Sequence, residues 1–216
     1  MSRVLLEAAH AGRSAARRVL LLPPAYARAE DFLREGFGVA VRERNLDLDL
    51  LLIEPQFESV TDRSVLEELA RQLAAARAAP GTRVWLGGIS LGAYLALACA
   101  ARHERELDGL VLFAPYLGSH LMTGEIAGAG GLAAWDAEAA GAEDEERRIW
   151  RFLKSRVRGP LPIHLGLGSE DRFAERHRLL AAALEPRDVD VVPGGHEWPV
   201  WRTLWERFLD VRIQPR

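Results

Sequence analysis

Short apolar runs alternate along the chain with longer segments in which apolar residues recur at helical spacing. The short runs predict strands, and the periodic segments between them predict helices. The predicted strands cover 18–22, 49–53, 82–86, 110–113, 161–165 and 188–192, with 3–8 as a candidate edge strand. The predicted helices cover 29–40, 62–79, 91–103 and 172–184, and a last helix starts near Pro199. This alternation is typical of a parallel α/β sheet.

Residues 117–159 break this rhythm, because they form a long connection between two predicted strands. The first half is rich in glycine and alanine. The second half predicts an acidic helix with Ile149, Phe152 and Leu153 on one side. Connections of this length in a compact domain are often functional. We interpret 117–159 as a small helical cap over an active site; the alternative is a solvated surface insertion with no role in binding.

Length and composition fit one ordinary domain spanning 1–216. The net charge of −3 and the lack of a basic run argue against a nucleic-acid partner. Cys99 is the only cysteine, which fits a reducing compartment. The chain starts without the apolar core of a signal peptide, and no apolar run reaches the roughly 20 residues of a membrane span. We therefore expect a soluble, cytoplasmic protein with no membrane partner.

The strongest chemical signal is Gly88-Ile89-Ser90-Leu91-Gly92, a Gly-x-Ser-x-Gly motif between a predicted strand and a predicted helix. A sharp turn in this setting exposes the serine as a nucleophile. A Cβ atom at Gly88 or Gly92 is expected to clash where strand and helix meet. We predict that Ser90 is the nucleophile; the alternative is a purely structural turn.

A serine nucleophile needs a base, and His196 is the best candidate because it follows the last predicted strand on a glycine turn. The alternative for His196 is a structural loop histidine. The other histidines fit this role less well. His164 is expected inside a strand, and His177 is expected in a helix and solvated.

The base needs an orienting acid, and two carboxylates follow the predicted strand 161–165. These are Glu170 and Asp171, about 25 residues before His196. The alternative role for either carboxylate is a helix N-cap.

Together these segments resemble the α/β-hydrolase superfamily across nearly the whole chain. The resemblance implies a mostly parallel sheet of about six or seven strands, with helices on both faces and a small helical cap. It also implies the order Ser90, Asp171, His196, and it favours Asp171 over Glu170. The run 194–201 is similar to the Gly-Gly-His-x-Trp endings of esterases related to the esterase D and feruloyl-esterase-like groups.

The same resemblance implies an oxyanion hole with two backbone N–H donors. The first is the amide of Leu91, directly after the nucleophile. The second comes from the loop after the first central strand, where Pro23 and Pro24 have no N–H to donate. Ala25 or Tyr26 is therefore the expected second donor. Alternatively, the Tyr26 side chain lines the acyl pocket.

Three further residues are candidates for substrate contact. Tyr116 follows a strand, His120 lies in the insertion, and Trp198 is two residues from His196. The aromatic face of Trp198, Trp201, Trp205 and Phe208 is otherwise expected to be core. Cys99 is expected to be buried packing.

The resemblance implies hydrolysis of an ester, thioester or amide through an acyl-enzyme, without metal or organic cofactor. We expect a carboxylesterase or thioesterase with a small-molecule acyl substrate. A binding protein that keeps the fold without catalysis is one alternative. A triad enzyme for perhydrolysis or C–C bond hydrolysis is another. The sequence leaves the oligomeric state open, with a homodimer among the options.

Overall fold

A computed structural model describes residues 2–56, 64–138, 144–157 and 159–214. The described strands are β1 (Arg3–Glu7), β2 (Arg17–Leu22), β3 (Leu48–Glu54), β4 (Arg83–Ile89), β5 (Gly109–Phe113), β6 (Ile163–Gly168) and β7 (Val189–Val192). Every predicted strand is confirmed, including the candidate at the N-terminus. The structure extends the predicted strands 82–86 and 161–165 by three residues at their carboxyl ends.

The strands form one seven-stranded sheet in the order β1-β3-β2-β4-β5-β6-β7. All neighbouring pairs are parallel except β1 with β3, which makes β1 an antiparallel edge strand. The carboxyl ends of the parallel strands therefore meet along one edge of the sheet. In open α/β sheets this edge is where ligands bind.

The described helices are α1 (Ala29–Arg34), α2 (Phe37–Glu43), α3 (Ser64–Arg77), α4 (Leu91–His103), α5 (His120–Gly128), α6 (Glu145–Arg156), α7 (Ala174–Ala181) and α8 (Trp198–Phe208). A π-helical turn, Leu209–Ile213, continues α8. The start of the helix predicted over 62–79 lies outside the described residues. None of the described helices has the length and apolar character that a membrane crossing requires.

The prediction of one continuous helix over 29–40 is wrong, because the chain breaks between α1 and α2. Gly36 has a left-handed φ of 83°, which glycine adopts without strain. A Cβ atom there would overlap the guanidinium of Arg202, whose Nη1 donates to the carbonyl of Glu35 at 3.1 Å. The break thus coincides with the left-handed Gly36 and lies against Arg202 of the distant helix α8.

The sheet separates two apolar clusters, as alternating side chains along a strand require. Leu20 and Leu22 of β2 face the cluster under α3, α4, α6 and α7. Val19 and Leu21 of the same strand face the cluster under α1, α2 and α8. Helices therefore cover both faces, which confirms the predicted α/β-hydrolase architecture.

The described part of the insertion 117–159 packs on the domain. Ile149, Trp150 and Leu153 of α6 are buried in the same apolar cluster as α4. Arg102 at the end of α4 donates to Glu145 at 2.7 Å. Helix α6 therefore forms part of the layer that supports α4, whereas a covering role over the site remains a prediction.

Candidate active site

Ser90 lies in the sharp turn between β4 and α4, with φ 53° and ψ −113°. Positive φ is uncommon for residues other than glycine and often marks functional sites. Three backbone hydrogen bonds hold this turn: Ser90 N donates to Phe113 O at 2.9 Å, and Ser90 O accepts from Tyr94 N at 3.1 Å and from Tyr116 N at 3.0 Å. The half-buried serine is thus fixed at the carboxyl edge of the sheet.

The glycines beside Ser90 are sterically required, as the sequence predicts. A Cβ atom on Gly88 would stand 2.7 Å from the carbonyl oxygen of Leu22. A Cβ atom on Gly92 would stand 2.5 Å from the carbonyl carbon of the same residue. Both values lie below the distances that real Cβ atoms show, so the turn packs directly on the end of β2.

Asp171 and His196 form a hydrogen bond at the same carboxyl edge of the sheet. His196 follows β7, and its Nδ1 lies 2.7 Å from Asp171 Oδ2. The Asp171 side chain is fully buried, and the His196 side chain is 12% exposed. Asp171 Oδ1 accepts from the amide of Phe173 at 2.8 Å, which orients the carboxylate. Glu170, the alternative acid, is exposed.

The pKa of the Asp171 carboxyl is lowered overall. Burial acts to raise this pKa, but hydrogen bonds from His196 and from the Phe173 amide outweigh it. The carboxylate therefore stays ionised beside the imidazole. An ionised acceptor at Nδ1 holds the proton there and leaves the Nε2 lone pair of His196 free to act as a base.

Two aromatic rings flank His196, and neither is among the residues that the sequence predicts at the site. Phe173 contacts the imidazole edge-on at 5.3 Å between ring centres, and Trp201 does so at 5.0 Å. The helical spacing of Trp201 predicts a core position for it. Phe173 could have been found from its place two residues after the acid.

The candidate oxyanion donors lie on two turns. Ala27 N donates to Pro24 O at 3.2 Å, which closes a turn with Tyr26 at φ 65°. Within the described chain, no acceptor takes the N–H groups of Leu91, Ala25 or Tyr26. The Tyr26 side chain stands fully in solvent, so it does not line a pocket in this structure.

The three candidates for substrate contact have different surroundings. Tyr116 is half-buried and packs edge-on against Tyr94 at 5.4 Å. Burial and the charge of Glu146 raise the pKa of the Tyr116 phenol. His120 is exposed at the start of α5. Trp198 packs against the ring of Phe32 at 5.4 Å, and it is Trp201 that contacts His196.

The expectation that His177 is solvated is wrong. Its side chain is completely buried, because it lies on the inner face of α7. Its Nε2 lies 3.0 Å from the carbonyl oxygen of Pro115, and burial lowers the pKa of the imidazole. A neutral Nε2–H tautomer satisfies this contact, since a carbonyl oxygen only accepts.

Cys99 is buried packing and His164 lies inside a strand, as the sequence predicts. Cys99 is buried in α4, and burial raises the pKa of its thiol to about 12. His164 is buried inside β6 between the rings of Phe113 and Phe208. Neither group is placed to act as a nucleophile or base at the carboxyl edge.

Comparison with known sequences supports the fold and the motif. The sequence model of the family described as serine aminopeptidase S33 matches residues 56–141, which include Ser90. Curated protein sequences gave no match.

Solved structures resemble the chain over nearly its whole length. An S-formylglutathione hydrolase from Staphylococcus aureus has a TM-score of 0.66 and 11% identity, covering 93% of this chain and 82% of that one. Est1E from Butyrivibrio proteoclasticus, with ferulic acid bound, has a TM-score of 0.62 and 16% identity, covering 98% and 95%. A monoacylglycerol lipase from Paleococcus ferrophilus has a TM-score of 0.55 and 16% identity, covering 97% and 96%.

At these identities the structural likeness shows the fold. The sheet order and the strand–turn–helix motif around Ser90 agree with it. The chain therefore has the α/β-hydrolase fold.

Proposed function

We propose that this protein is a serine hydrolase that cleaves a carboxylic ester or thioester of a small acyl substrate through an acyl-enzyme at Ser90. The observation that carries the proposal is the 2.7 Å hydrogen bond between the buried Asp171 carboxylate and His196 Nδ1. It lies on the same sheet edge as the strained turn of Ser90. A base with a dedicated acid partner, on the same sheet edge as a serine in a strained turn, is the arrangement expected for nucleophilic catalysis.

The reaction follows from these three residues. Ser90 Oγ attacks the acyl carbon while His196 Nε2 takes the hydroxyl proton. His196 then gives that proton to the departing alkoxide or thiolate, which leaves the acyl group bonded to Ser90. A water molecule attacks next, with His196 again taking and returning a proton, and the acid and free serine are released. Asp171 stays ionised throughout and stabilises the imidazolium.

The negative charge on the carbonyl oxygen needs preorganised donors. We assign the Leu91 amide as the first donor, at the N-terminus of α4. The Ala25 or Tyr26 amide is the second. These N–H groups have no acceptor in the described chain, and an unpartnered donor is available to an oxyanion.

The rings of Phe173 and Trp201 support catalysis by limiting water around His196. Both contact the imidazole edge-on, at 5.3 and 5.0 Å. A drier site strengthens the interaction between Asp171 and the imidazolium.

The test combines turnover with covalent labelling. Wild-type protein is expected to hydrolyse p-nitrophenyl acetate and to bind a fluorophosphonate probe at Ser90, as read by intact mass and peptide mapping. Ser90→Ala should lose both properties. Ser155→Ala is the matched control, because its hydroxyl bonds the carbonyl of Phe152 in α6. Folded wild-type protein that neither turns over esters nor takes the label would refute the proposal.

Matched substrates then show whether the protein hydrolyses esters or thioesters faster. Rates for p-nitrophenyl esters of two to eight acyl carbons are compared with the corresponding phenyl thioesters. A binding protein without catalysis would show no Ser90-dependent turnover with either series. Release of carboxylate from a carbon–carbon substrate, or peracid formation with hydrogen peroxide, would instead identify the alternative chemistries.

A further inference from the structure

The loop after β5, residues 115–119, is held by side chains from two helices. Its polar backbone groups lie outside any sheet or helix, so they need other partners. Four such contacts are found: His177 Nε2 to Pro115 O at 3.0 Å, Trp150 Nε1 to Leu117 O at 3.0 Å, Arg176 Nη1 to Gly118 O at 3.2 Å, and Ser119 N to Glu146 Oε1 at 2.9 Å. We call residues 115–119 the post-β5 loop.

This loop is hydrogen-bonded to the backbone of the proposed nucleophile, Ser90. Tyr116 N donates to Ser90 O at 3.0 Å, and Ser90 N donates to Phe113 O just before the loop. Ala114, between Phe113 and the loop, has a positive φ of 43°, and Ser90 has 53°. Ala114 and Ser90, which follow paired residues of β5 and β4, thus both have a strained backbone. Such strain persists only where surrounding contacts enforce it.

Among the side chains that hold this loop, His177 bonds the residue that directly follows Ala114. Its side chain is completely buried, and its bond to Pro115 O fixes the residue between strained Ala114 and Tyr116. The same ring contacts Phe173 at 6.5 Å, and Phe173 contacts His196 at 5.3 Å. His177 therefore touches the structure that holds the nucleophile and also a ring that packs on the base.

We propose that His177 is a positioning residue, which sets Ser90 relative to His196 by holding the post-β5 loop through its Nε2–H bond to Pro115. The inference rests on the proposed function. Loss of the bond releases the turn at Ala114 and Pro115, and the Tyr116 amide that holds Ser90 O moves with it. Small displacements of a reacting group reduce turnover strongly without loss of substrate binding.

Three variants test the hydrogen bond itself. Glutamine places an amide nitrogen near the imidazole Nε2, asparagine places one near Nδ1, and leucine supplies no donor. With p-nitrophenyl acetate, His177→Leu and His177→Asn should lower kcat about 10- to 100-fold with KM within about threefold of wild type. His177→Gln should recover most of kcat, and the rate of fluorophosphonate labelling should follow the same order.

Leu180→Ala is the matched control, because Leu180 is another buried residue of α7 and its apolar side chain makes none of the four hydrogen bonds to the post-β5 loop. Kinetics are measured at a temperature where each variant is folded by circular dichroism. If His177→Leu unfolds, the Gln and Asn pair still decides the question. Equal kcat for Gln and Asn, or a kcat loss in Leu180→Ala matching that of His177→Leu, would overturn the positioning role. An inactive, unlabelled wild type would instead refute the proposed function, and the positioning role with it.

Discussion

Gly92 lies directly against the carbonyl group of Leu22, where the helix after the nucleophile meets the end of β2. A Cβ atom on Gly92 would stand 2.5 Å from the carbonyl carbon of Leu22. The contact joins the turn that carries Ser90 to the strand that precedes the turn at Ala25 and Tyr26. The turn that carries the Leu91 amide and the strand that leads to the Ala25 and Tyr26 amides therefore meet at this close backbone contact.

Gly92→Ala is expected to lower the free energy of unfolding by about 3 kcal/mol, because the added methyl group must displace backbone atoms. Esterase activity should fall with it, since the Ser90 turn shifts. Chemical denaturation and p-nitrophenyl acetate turnover measure both effects. Gly124→Ala is the control: a Cβ atom there meets nothing within 4 Å, and alanine in an exposed helix should stabilise by about 0.5–1 kcal/mol. Equal stability of the two variants would contradict the steric argument.

Asp171→Asn should lower kcat by about 10³- to 10⁴-fold, because a neutral amide neither stabilises the imidazolium nor enforces the tautomer. KM should change little. Glu170→Gln, at the exposed neighbouring carboxylate, should keep kcat within about twofold of wild type. Steady-state kinetics on both variants show which carboxylate orients His196. A larger loss of kcat in the Glu170 variant would assign that role to Glu170 instead of Asp171.

His164 makes folding stability depend on pH. Burial lowers the pKa of its imidazole to about 4 against the opposing effect of Asp190, whereas the unfolded value is 6.5. The unfolded chain therefore binds the proton first as the pH falls from about 6.5 to 4. The free energy of unfolding should decrease over this range, by up to about 3 kcal/mol from this residue.

Urea denaturation at several pH values measures this slope. His164→Leu should make it shallower between pH 6.5 and 4, because one of the two buried histidines with a lowered pKa, His164 and His177, is gone. His120→Gln, at an exposed histidine, should leave the slope unchanged. An unaltered slope in the His164 variant would rule out this source of acid sensitivity.

Cys99 should be unreactive in the folded protein. Burial raises the pKa of its thiol to about 12, so almost no thiolate exists near neutral pH. Ellman's reagent at pH 8 should detect no thiol until denaturant is added, and Cys99→Ala should keep wild-type kcat. Rapid labelling of the native protein, or loss of turnover in the variant, would point to a functional thiol.

The local features of this chain could be predicted because short-range forces decide them. Apolar runs bury themselves as strands, and glycine at 88 and 92 is what a tight turn between strand and helix needs. The order of serine, acid and histidine can likewise be read directly along the chain. These patterns predicted every strand, the fold class and the residues proposed for catalysis.

Contacts between distant segments decided what the sequence left open or misassigned. The carboxylate beside His196 is Asp171 and not Glu170, because only Asp171 is turned inward after β6. Arg202 packs against the break before α2, and the buried His177 bonds the loop after β5. The sequence alone determined which residues can carry the chemistry. Only the tertiary structure decided which of them touch, because that depends on packing between elements far apart along the chain.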